Sequence, residues 1–247
     1  MHVLHSLSLA IAFTTFTGSA LAENRTYSYA QVSLRKTNGI VGDPGQHICG
    51  GSLVAPDIVL TAASCKGQFD VIDIGTSESF VAEYERRHFS SLHLHRLFTR
   101  EEVADGDETN NSARYFNDVM LIKINGTSTM VPVRINNNSS VPLNDTNLTV
   151  LDAGQGIVEL HSSVQEISVQ FRNNSECSDL AITNNVSLED LIADYGIMCA
   201  TQSGTDACSL DSGSPLILKG ENEEDDRLVG IVGYVFYYVS IRLVGRS

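Results

Sequence analysis

CGGSLVAPDIVLTAASC, Cys49 to Cys65, places the apolar run Ile58 to Leu60 directly before TAASC, with a cysteine at each end. Two further segments follow in order along the chain. NDVMLIKI, residues 117–124, sets Asp118 before the apolar run Met120 to Ile124, and DACSLDSGSP, residues 206–215, sets Ser212 in a DSG tripeptide. DSG alone is a common turn. Three such segments in one order, spread from Cys49 to Pro215, are not a chance assembly, and they single out Ser64, Asp118 and Ser212.

Together the segments resemble those of the chymotrypsin/trypsin family. TAASC stands where that family carries its catalytic histidine as TAAHC, so Ser64 occupies the base position. Asp118 matches the buried triad aspartate, and DACSLDSGSP resembles DACQGDSGGP, with Ser212 at the nucleophile's position. The resemblance runs from about Tyr29 to Ser240. It implies an all-β, chymotrypsin-like pair of six-stranded β-barrels, the second truncated near the C-terminus, with residues 23–247 as one inactive trypsin-like domain.

A serine nucleophile is weak at its own pKa and needs a base within hydrogen-bond reach, oriented by a third group. The Ser64 hydroxyl cannot accept a proton at neutral pH and is too short to bridge Asp118 to Ser212. Losing a triad histidine costs on the order of a millionfold in turnover. The resemblance implies three further lesions. Leu210 stands where the family's glycine supplies an oxyanion-hole N–H in a conformation a Cβ opposes, and Ser214 replaces another glycine. The amino terminus that would pair with Asp211 is missing: Ile40, Val41 and Gly42 mimic it but read as a loop, leaving Asp211 protonated, solvated or paired elsewhere. After Gly233 a pocket-wall loop and a terminal helix are absent, so Asp206 reads as a loop aspartate rather than a specificity residue.

His47, His88, His93, His95 and His161 are the histidines that could replace the lost base; His47, two residues before Cys49, is nearest by resemblance and reads as a hydrogen-bonded structural residue. No HExxH, CxxC pair or phosphate-cradling loop appears, so neither a metal nor another cofactor is expected.

Composition fits the same outline. Residues 1–22 have an uncharged apolar core ending in Ala20, Leu21 and Ala22, the pattern of a cleaved secretory signal too short to span a bilayer. Sequons stand at Asn24, Asn110, Asn125, Asn137, Asn138, Asn144, Asn147, Asn173 and Asn185, crowding residues 110–147 and predicting a sugar-covered surface there. Net charge is −14, which excludes nucleic acid and anionic membrane as natural partners. The acid gathers in two stretches read as loops: Glu101, Glu102, Asp105, Asp107 and Glu108, and Glu221, Glu223, Glu224, Asp225 and Asp226.

Short apolar runs predict strands at Ile58–Leu60, Val71–Ile74, Met120–Ile124, Ile167–Phe171, Leu216–Leu218 and Val229–Val232, with Asp73 marking a half-buried strand. Ser187 to Ile192 is the one persuasive helix. Five cysteines in a secreted chain imply disulfides and one thiol left over. The resemblance pairs Cys49 with Cys65 and Cys177 with Cys199, leaving Cys208 unpaired, as a buried thiol or a bond to another chain.

Within the family the chain looks like the secreted glucanase inhibitor proteins of oomycete plant pathogens. That resemblance implies a non-enzymatic protein of the host apoplast, monomeric until it binds and inhibits a host endo-β-1,3-glucanase. Two other readings stay open: an inactive binding or adhesive module with a different extracellular partner, and a weak serine endopeptidase.

Overall fold

The computed structural model describes residues 27, 29, 32–40, 43–75, 84–104, 111–152, 165–173, 197–201, 210–233 and 239–243. Among these residues sixteen strands follow one another: β1 Val32–Lys36, β2 Gln46–Ala55, β3 Ile58–Thr61, β4 Val71–Ile74, β5 Glu85–Arg87, β6 Phe89–Leu94, β7 Thr99–Ala104, β8 Asn111–Phe116, β9 Met120–Ile124, β10 Arg134–Ile135, β11 Asn147–Asp152, β12 Gln165–Arg172, β13 Ile197–Thr201, β14 Pro215–Leu218, β15 Arg227–Val232 and β16 Val239–Leu243. The strands expected from the apolar runs are all present. The Ser187–Ile192 helix lies outside the described residues.

Fourteen of these strands make two curled sheets, and β7 and β8 pair as a separate two-stranded ribbon. The first runs β5-β4-β1-β2-β3-β9-β6. Only His88 separates β5 from β6, so one stretch of chain pairs with β4 at one end and with β9 at the other, curling the sheet towards itself. The second runs β10-β15-β14-β11-β12-β13-β16, and β16 also pairs with β15, so six of its strands close a ring. Val239–Leu243, beyond the deletion expected after Gly233, therefore supplies the closing strand. This is the chymotrypsin-like double barrel.

Alternation decides which face each strand buries. In β9, Met120, Ile122 and Ile124 point into the first core while Leu121 and Lys123 face outward. Leu34, Leu53, Val59, Ile72 and Ile74 fill that core, and Leu148, Val150, Val169, Met198, Leu216 and Val229 fill the second. A third cluster joins Leu60 of β3 to Leu151, Ile217, Leu228 and Ile231 of the second sheet. Each such side chain contributes about 1.5–3 kcal/mol on burial, so this seam fixes the two sheets against each other.

Two local expectations are corrected. Val71–Ile74 is buried on both faces, and Asp73 is not the solvent-facing residue of a half-buried strand. The Arg86 guanidinium reaches in from β5 and donates to both Asp73 oxygens, at 2.7 and 2.8 Å, satisfying the carboxylate inside the protein. Glu101 and Glu102 are not in a loop but in β7, which pairs along its length with β8.

Candidate functional site

The site forms where the end of β3, the approach to β9 and the turn before β14 meet. β3 ends at Thr61, and a single 3-10 turn, Ala63–Cys65, follows. Before β9, Asn117 takes a left-handed φ of 51°, a conformation asparagine tolerates. Asp118 follows it and is fully buried. The Ser64 backbone N–H donates to Asp118 Oδ1 at 2.6 Å, and the Ser64 hydroxyl donates to Oδ2 at 3.0 Å. One residue thus engages both oxygens of the buried carboxylate.

Leu210–Ser214 is a tight turn docked on the first sheet. Ser214 N–H donates to the Asp211 carbonyl, Gly213 N–H to the Val232 carbonyl, and Gly50 N–H to the Ser212 carbonyl. Gly213 has φ of 86°, and a Cβ there would lie 2.3 Å from Thr61 Oγ1 and 2.4 Å from the Gly50 carbonyl oxygen. Only glycine fits. Leu210 packs its side chain against the second core.

Asp211 is paired elsewhere, one of the states expected for it. His47 Nε2 lies 3.0 Å from Asp211 Oδ2, and His47 Nδ1 is 2.6 Å from the Ser33 hydroxyl. Both ring nitrogens are committed and the side chain is 7% exposed, so His47 has the structural role expected of it. The other described histidines also have local contacts: His88 with the Asp70 carbonyl, His93 with Ser91, and His95 with the Leu97 N–H.

Asp152 is a residue the sequence did not single out. It ends β11, is 4% exposed, and its Oδ1 accepts from the Ser214 hydroxyl at 3.1 Å and from the Asp211 N–H at 3.3 Å. Burial first, and the Asp211 carboxylate second, push its carboxyl up to about 6. Ser214, read from the sequence as a lesion, is fully buried and donates to this carboxyl.

Of the other expected residues, Cys49 and Cys65 are joined as a disulfide and Cys199 is disulfide-bonded as well. Cys177, Cys208, Asp206, His161, Asn24, Asn110 and Asn185 lie outside the described residues. Asn125, Asn137, Asn138, Asn144 and Asn147 are exposed and Asn173 is half-buried. In the second acidic stretch Glu224 and Asp225 face solvent, but Asp226 is 1% exposed and accepts from the Tyr29 hydroxyl at 2.7 Å and the Gly220 N–H at 2.8 Å. It belongs to the frame rather than to a docking surface. Among the described residues no cluster of His, Cys, Asp and Glu could hold a metal ion, and no helix is long and apolar enough to cross a membrane.

The family model described as Trypsin matches residues 20–241. Trypsin delta of Drosophila melanogaster is 28% identical over 211 residues, covering 83% of this chain and 72% of that protein. Thrombin-like enzyme flavoxobin of Protobothrops flavoviridis is 26% identical over 202 residues, 77% of this chain and 67% of its own. Coagulation factor XII of Cavia porcellus is 25% identical over 246 residues, 88% of this chain but 39% of that protein.

Proposed function

Since the chain belongs to the trypsin family, we propose that it is a non-enzymatic member, an extracellular binding protein that inhibits a host endo-β-1,3-glucanase by occluding its cleft. The observation that carries the non-enzymatic half is the pairing of Ser64 with both oxygens of Asp118. A catalytic histidine would fill that place, take the Ser212 proton as general base and be held in orientation by the carboxylate. Serine donates its only hydroxyl hydrogen to Asp118 and has no basic lone pair to offer Ser212. Leu210 stands where the family's glycine turns its N–H inward, in a conformation a Cβ opposes, which argues further against a working oxyanion hole.

A fold without turnover still presents loops that recognise proteins. The Cys49–Cys65 disulfide suits an extracellular setting. The glucanase as partner rests on the resemblance to the secreted inhibitors named above. Titrating the glycosylated protein into an endo-β-1,3-glucanase assay, with Ser212→Ala alongside, tests the whole reading. Stoichiometric inhibition by both forms supports it. Inhibition lost with Ser212→Ala would refute it, and no inhibition across a panel of such enzymes would remove the glucanase.

One observation favours a second reading, a weak serine endopeptidase: the relatives are named as proteases, and both the buried Asp118 and the Ser212 turn are kept. Ser212-dependent cleavage of lysine or arginine esters would establish it.

A further inference from the structure

Asp152, Asp211 and His47 join three elements of the fold through buried polar groups. Asp152 closes β11 in the second sheet, Asp211 lies in the turn bearing Ser212, and His47 sits on β2 of the first sheet. Asp152 and Asp211 are each 4% exposed. Asp152 Oδ1 takes the Ser214 hydroxyl and the Asp211 N–H, so two buried carboxyl groups lie side by side. Two neighbouring carboxyl groups without water repel each other when both are ionised, which favours one keeping its proton.

We propose that this buried carboxyl pair is a proton-operated latch, fastening the Leu210–Ser214 turn to both barrels in mildly acid solution and loosening it as pH rises towards neutrality. With one proton on the pair, a single negative charge remains, and His47 Nε2 faces it. With the proton gone, two carboxylates meet in a site that burial has stripped of water. Among the described residues, the basic side chain in contact with the pair is His47, 3.0 Å from Asp211 Oδ2. Among the described residues, the groups facing the pair are these. From the turn come Asp211 itself and the Ser214 hydroxyl; from β2 comes His47, whose other nitrogen meets Ser33 on β1. Beyond Ser33, the Arg35 guanidinium donates to that same hydroxyl and is turned towards Asp73. Asp211 is the one charged group among the causes that shift Asp152.

The sign follows from the direction of the shift. A carboxyl raised from 3.8 to about 6 binds its proton more tightly folded than unfolded. Its stabilising contribution is complete below about pH 4 and is lost as pH climbs through about 6. A shift of that size corresponds to about a hundredfold in the folding equilibrium constant. The latch operates whether or not the protein inhibits a glucanase.

Asp152→Asn tests it, because the amide keeps an acceptor for Ser214 and Asp211 N–H but has no proton to lose over this range. Urea unfolding of the wild type and Asp152→Asn is compared from pH 4.5 to pH 7.5. The expected result is a wild-type folding constant that falls by about tenfold or more relative to the variant over that range. Parallel profiles would overturn the proposal. Infrared spectra of the folded wild type are decisive even if the variant folds poorly. A protonated-carboxyl C=O band that vanishes as pH rises through about 6 supports the latch, and its absence at pH 5 overturns it.

Discussion

His47 Nε2 stands 3.0 Å from Asp211 Oδ2, and this contact between residues 164 positions apart fastens β2 of the first barrel to the turn that carries Ser212. Both side chains are nearly excluded from water, so the turn's position depends on a polar contact inside the protein rather than on its surface. His47→Ala strands a buried carboxyl, and we expect a loss of about 3 kcal/mol in urea unfolding. A loss below about 1 kcal/mol would mean that Asp152 and solvent suffice to hold Asp211.

Ser64→Ala removes a hydroxyl donor from a fully buried carboxylate but leaves the Ser64 backbone N–H in place. The expected cost is about 1–3 kcal/mol of stability, with glucanase inhibition per folded molecule unchanged. Chemical denaturation and inhibitor titration of the same preparation measure both.

Gly213→Ala should fail more severely. A methyl group there meets Thr61 Oγ1 and the Gly50 carbonyl at distances real Cβ atoms do not show, and the backbone is left-handed. We expect more than about 4 kcal/mol of destabilisation, read as loss of folded, secreted protein.

The second acidic stretch separates recognition from framework. Glu224→Gln with Asp225→Asn changes exposed groups, so stability should move by less than about 0.5 kcal/mol while association with a basic partner slows at low salt. Asp226→Asn instead disturbs the acceptor of the Tyr29 hydroxyl and Gly220 N–H and should cost about 1–2 kcal/mol. Equal effects on association from both changes would dismiss the exposed pair as a docking feature.

Breaking the Cys49–Cys65 bond by Cys49→Ser with Cys65→Ser releases a loop with a sequence separation of 16. The loop-closure argument gives a loss of about 3 kcal/mol, measurable as a lower denaturation midpoint under non-reducing conditions.

The strands were legible because their signal is local. Val71–Ile74 and Met120–Ile124 read as strands from their own residues, and TAASC, NDVM and LDSGSP fixed the order of the parts. What escaped was every feature that needs a distant partner. Asp73 read as solvent-facing because nothing beside it announces Arg86 on the next strand. Asp226 read as one charge in an acidic run because its partner, Tyr29, is 197 positions away. His47 was picked out, but its attachment to Asp211 was not. Asp152 gave no sign at all, since a carboxylate ending an apolar run resembles any strand exit; only the fold brings it against Asp211.

Whether Ser212 retains nucleophilic chemistry is read most directly by treating the folded protein at neutral pH with a fluorophosphonate probe and locating the adduct by mass spectrometry. With Ser64 bound to Asp118 in the place of the base, the Ser212 hydroxyl should stay unmodified while a trypsin control is labelled to completion. Stoichiometric labelling of Ser212 would contradict a non-enzymatic protein.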